Sequence, residues 1–154
     1  MARIALGLTL LAACGLTSRD FQVSQDFTAG GGPPGFTGSF DSAKLLAPFA
    51  ADVSQVKTVT LTAARLDATD GGDLAFVSGA TISVAGNGLP DALLATLPSA
   101  PPAGQGSVQL QVTARELKPY LQMGGAVTAI VNYSPTPVTA RSLRLTLTLH
   151  GALL

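Results

Sequence analysis

The chain has one cysteine, one histidine, two tyrosines and no tryptophan in 154 residues, and only 12% of it is charged. A single cysteine excludes an intramolecular disulfide. Nine basic side chains balance nine acidic ones. There is no basic cluster and no aromatic stacking platform, which excludes the counterion-displacing surface that nucleic-acid binding requires. No apolar run approaches the roughly 20 residues of a membrane-spanning helix. Phosphate loops are missing too: Gly30, Gly31 and Gly32 precede Pro33 and Pro34, and proline removes donor amides where such a loop would assemble them.

Hydrophobic residues make up 47% of the chain. That is enough apolar surface to offset the entropy of ordering, so the chain should fold, and its length suits one core. Seventeen glycines and ten prolines fall in clusters, the punctuation of short strands and many turns.

The first residues carry an address. Arg3 supplies a positive start, Ile4 to Leu11 an apolar stretch, and small residues follow; this is the layout of an export signal. Leu11-Ala12-Ala13-Cys14 resembles the lipobox of bacterial lipoproteins. The resemblance implies cleavage before Cys14, diacylglycerol on its thiol, and anchoring by two or three acyl chains, which holds where one chain binds only marginally. In that class an Asp after the cysteine retains the protein at the inner membrane; Gly15 stands there, so the resemblance favours the outer membrane. The organisation expected is therefore a signal peptide over 1–13, a lipidated tether over 14–19 and a folded domain over 20–154. The partner so implied is the membrane, reached through lipid on Cys14.

Period-two alternation marks the strands of that domain. Phe21, Val23 and Phe27 alternate with polar residues; Thr28 to Gly38 reads as a loop; Asp41 is placed to cap a short helix carrying Leu45, Leu46, Phe49 and Val53, shortened by Pro48. Val59, Leu61 and Ala63 form a further apolar face, and because Leu66 falls out of phase, a bulge or strand end is expected over Ala63 to Arg65. Leu74 to Val77, Ala80 to Ala85, Leu93 to Leu97, Ser107 to Ala114, Ala126 to Tyr133 and Leu143 to Leu149 supply the other strands, with a turn at Gly86-Asn87-Gly88 and one helical turn over Glu116 to Leu121. Seven or eight strands without long helices predict an all-β, antiparallel sandwich of immunoglobulin-like architecture, with at most one or two short helical turns; the cysteine pair and tryptophan of antibody domains are missing.

Candidate sites are few. Asp67, Asp70 and Asp73 place carboxylates around Gly71 and Gly72 and form part of a calcium ligand set, but the spacing is not that of an EF-hand and the same residues make ordinary solvated turns. No cofactor is expected. His150 stands alone near the chain end, and no serine sits in a Gly-x-Ser-x-Gly elbow. Arg115, Glu116 and Lys118 read as a solvated turn, and Tyr120 and Tyr133 as core or rim residues.

The expectation is a non-enzymatic, lipid-tethered module of the cell envelope that engages a protein partner or serves a structural role. The alternative is a carrier holding a small apolar ligand between its sheets. Cells grown with labelled palmitate should label the wild-type chain. Label should be lost in Cys14→Ala, and label persisting in that variant would refute the assignment.

Overall fold

The computed structural model describes residues 18–30 and 32–154; Cys14 and the signal-peptide assignment lie outside the described residues. Alternation dictates strands, and strands with one apolar face must stack. The result is a two-layer antiparallel β-sandwich, as expected. A four-stranded sheet runs in the order β1 (Ser18–Ala29), β9 (Arg141–Leu153), β3 (Val56–Ala68), β6 (Ser107–Gln109). A five-stranded sheet runs β2 (Gly35–Asp41), β8 (Ala126–Tyr133), β4 (Val77–Gly86), β5 (Leu89–Leu97), β7 (Gln111–Val112).

β9 lies between β1 and β3, and its Leu143, Leu145, Leu147 and Leu149 are each at most 1% exposed. On the five-stranded sheet, β4 turns Ala80, Ile82 and Val84 inward and β8 turns Val127, Ala129 and Val131 inward, with Phe40 on β2 and Leu94 on β5 beside them. Side chains from both sheets fill the interior between them.

The phase problem at Leu66 is solved as the sequence implied, slightly earlier than expected. The register of β3 against β9 slips between Leu61 and Ala63, so Ala64 and Leu66 turn inward and the strand continues to Ala68. Asp41 caps the first helix, α1 (Ser42–Leu46), by accepting the Lys44 amide at 2.9 Å. The short helix α2 (Lys118–Gln122) follows Leu117 and buries Tyr120 and Leu121. Between them in sequence, a 3₁₀ turn over Ala47–Phe49 contains Pro48 and sets Phe49 against Phe21, with ring centroids 5.0 Å apart.

Several expectations are corrected. Among the described residues there are nine strands, where seven or eight were expected. The loop expected over Thr28 to Gly38 ends earlier, because β1 runs to Ala29 and β2 begins at Gly35. Glycine-rich composition hid β2, whose inward residues include Gly38 where a larger one would meet the Phe36 ring. Leu74 to Val77 is not a strand of its own; β4 begins at Val77 and passes through Ser78 and Gly79 with a register slip. The expected strand over Ser107 to Ala114 is divided between sheets: β6 pairs with β3, β7 pairs with β5, and Leu110 between them is buried at the seam, donating its amide to the Ala64 carbonyl. A continuous alternation cannot show that a strand changes sheet midway.

Gly125 marks a close approach before β8. A Cβ there would run into the carbonyls of Ala85 and Tyr120.

Because Leu147 is 0% exposed in the central strand, Leu147→Ala should cost about 3 kcal/mol, the usual sum of lost burial and cavity. Leu154→Ala, at a residue 78% exposed, should change stability little. Urea denaturation of the two variants measures the difference.

Candidate functional site

The acidic turn does not gather its carboxylates. Asp67 accepts from Arg65 Nε at 2.8 Å and Ser107 Oγ at 2.7 Å. Asp70 accepts from Arg141 Nε at 2.7 Å, the second guanidinium nitrogen at 3.2 Å, and the amides of Gly72 and Ser142. Asp73 accepts from the amides of Gly104 and Ala75. Each carboxylate thus has its own protein donors, and among the described residues no three acidic, histidine or cysteine side chains group as metal ligands would. The arrangement joins loops: Arg141 links Asp70, the Asp73 carbonyl and the face of the Phe76 ring, 5.2 Å from its centroid.

His150 shares a hydrogen bond of 2.8 Å with Asp20 across the β1–β9 ladder, and both are exposed. Glu116 is not part of a solvated turn. Its Oε1 accepts the Val59 amide at 2.8 Å and the Lys118 amide at 3.0 Å, clamping the α2 approach to β3. The tyrosines are both core residues. Tyr120 donates its hydroxyl to the Pro90 carbonyl, whereas the Tyr133 hydroxyl has no partner and burial pushes its pKa up to about 12. A phenol held neutral in this way is not an acid–base group at ordinary pH.

The outer faces of the two sheets differ sharply. On the four-stranded sheet, charges face solvent in cross-strand rungs: Asp20 beside His150, and Asp26 beside Arg144 beside Asp67. Asp26 and Arg144 make a two-pronged pair at 2.6 and 2.9 Å, which lowers the Asp26 pKa. Between these rungs lie Ser24 and Thr146, joined at 3.1 Å. On the strands of the five-stranded sheet the only charges are Asp41 and Asp91, both close to one end. Its middle is a rung of Thr37, Ile130, Thr81, Thr96 and Gln111, followed by Ser39, Thr128, Ser83 and Leu93. Leu93 is 50% exposed and Ile130 39%. Depletion of charge with retained apolar surface marks the centre of protein interfaces. The charge distribution is written in the sequence, but it becomes a face only when the strands are assigned to sheets.

Clefts are open and shallow. One of about 540 Å³ runs along the edge where β1 passes β2 and α1, lined by Val23, Gln25, Phe40 and Lys44 among others. A second of about 470 Å³ lies at the loop end, between Phe76, Arg141 and the Pro135–Pro137 turn, where Val138 is 97% exposed. The interior is one continuous cluster of buried side chains. Among the described residues, no helix is long and apolar enough to cross a membrane.

No family model matches the chain. No curated protein matches it. Among solved structures it is similar to the decameric BFDV capsid protein, at 12% identity and a TM-score of 0.39, with 89% of this chain and 99% of that chain covered. A likeness that distant carries no argument about this protein.

The Asp70 carboxyl is held well below its usual range, first by Arg141 and then by the Gly72 amide. A depressed folded-state pKa stabilises the fold above the unfolded value of about 3.9, and that contribution is lost as pH falls through the acid range. Asp70→Asn should therefore destabilise the protein by about 2 kcal/mol at pH 7, the scale of a charged hydrogen bond. The variant should also lose stability less steeply than wild type below about pH 4. Thermal melts from pH 7 to pH 3 measure both.

Proposed function

We propose that the protein is a membrane-anchored extracytoplasmic lipoprotein whose β-sandwich is a non-enzymatic interaction or structural module of the cell envelope. The outer face of the five-stranded sheet, whose middle rungs carry no charge, carries the interaction reading. The address rests on Leu11-Ala12-Ala13-Cys14 and on Gly15 after it.

The geometry near the tether is in keeping with this. β1 begins at Ser18, so only three residues separate the lipidated cysteine from a strand. The domain then sits against the membrane with the start of β1, the end of β9 and the start of β3 nearest to it. Arg19 and Lys57 lie at this end and pair with no carboxylate among the described residues, whereas Arg65, Arg141 and Arg144 each do. Unpaired cations suit an anionic lipid surface, where each contributes about 1 kcal/mol.

The carrier reading draws on the cleft beside β1. That cleft opens to solvent and includes Gln22, Ser24, Asp26 and Lys44 in its lining, whereas pockets for apolar ligands are enclosed and largely apolar. The interaction module is therefore the better account.

Two measurements test the proposal. On cell fractionation, the wild-type chain should stay with the outer membrane through salt washing, and Cys14→Ala should be released. Native mass spectrometry should find no apolar guest beyond the attached lipid. A stoichiometric guest would make the carrier reading the correct one.

A further inference from the structure

The middle rungs of the five-stranded sheet carry no charge on their outer side, and that property suits a second copy of the same face. In a two-fold contact between identical faces, a charge close to the axis meets its own copy. Like charges so placed are costly, and the rungs through Thr81 and Ser83 carry none. Asp41 and Asp91 stand towards one end, with Asp41 turned to the Lys44 amide. On the opposite sheet, an axis along its strand β9 would set Arg144 against its own copy and Asp26 against Asp67 of the copy.

Size agrees. Five strands about 4.8 Å apart and about seven residues long give a face of roughly 500 Å² in projection. The accessible area of a corrugated side-chain surface exceeds its projection. The face is thus on the scale of the ~800 Å² that each partner of a stable complex buries.

We propose that two copies of this chain pack these faces together about a two-fold axis running along β4. This rests on the tethered-module reading, because an axis along the strands lets both Cys14 tethers reach one membrane. With β4 on the axis, β8 of each copy lies over β5 of the other. Ile130 and Thr96 share a rung with Thr81, so Ile130 of one copy faces Thr96 of its partner copy, with Leu93 beside it. The exposed apolar side chains of the face are then covered together. Thr81 meets Thr81, and four residues along β4 Ala85 meets Ala85. If the axis instead crossed the strands at Thr81, the two Ala85 residues would lie some 26 Å apart, given about 3.3 Å per residue.

The full chain, expressed in cells and oxidised in isolated membranes, distinguishes these cases. Thr81→Cys and Ala85→Cys should each give a disulfide-linked species of twice the chain mass on a non-reducing gel. Ser24→Cys, on the opposite face, should give none, and adding Ile130→Arg to Thr81→Cys should reduce the linked species at least tenfold. Absence of the doubled species from both β4 cysteines overturns the dimer. So does a linked species of another mass, or equal linkage from Ser24→Cys. Linkage through Thr81→Cys without Ala85→Cys overturns the axis. The wild-type chain, whose only sulfhydryl is Cys14, should give no linked species because lipid holds that sulfur. Linkage there counts against the tether, and it is separable from the result at β4.

Discussion

The fold depends on the burial of β9. Four leucines on one side of this strand are removed from water. At about 25 cal/mol per Å² of apolar surface, their burial is a large contribution to the core. β9 can hold them there only because β1 and β3 satisfy its backbone on both sides. The bulge in β3 follows from the same demand: without the slip after Leu61, Leu66 would face solvent instead of the leucine layer. Glu116 then fastens α2 to the start of β3, and Leu110 closes the seam between the sheets.

With the interior committed to packing, the chemistry of the molecule is confined to its surface. Most of the charged groups that could have formed a site are used in holding the scaffold. Asp70 and Arg141 tie the turn after β3 to the start of β9, Asp26 and Arg144 join neighbouring strands, and Asp41 caps a helix. The five-stranded sheet has no such network on its outer face. That asymmetry is a property of the assembled sandwich, and it separates a face laced by ion pairs from one with no charge across its middle.

Much of this was legible beforehand. The alternations at Phe21 to Phe27 and Leu143 to Leu149 became strands with the expected residues inward, Ala126 to Tyr133 became a strand, and Asp41 capped the helix that its position implied. β2 escaped notice because Gly35 and Gly38 dilute its apolar pattern, although Phe36 and Phe40 point inward. The acidic turn was legible as a turn. What its carboxylates bind was not, because beside the local Arg65, Gly72 and Ala75 their donors include Arg141, Ser142, Gly104 and Ser107, far away in sequence.

The sequence by itself determined the class of the fold and the positions of most strands, because a period of two allows only one apolar face per strand and such faces must be paired. It also holds the one indication of address, in the residues around Cys14. Tertiary structure alone decided which strands share a sheet and where Ser107 to Val112 passes from one sheet to the other. It thereby decided which charges meet and which face has none across its middle. The physical reason is that pairing across sheets is set by packing among residues distant in the chain, and local periodicity contains no information about those neighbours.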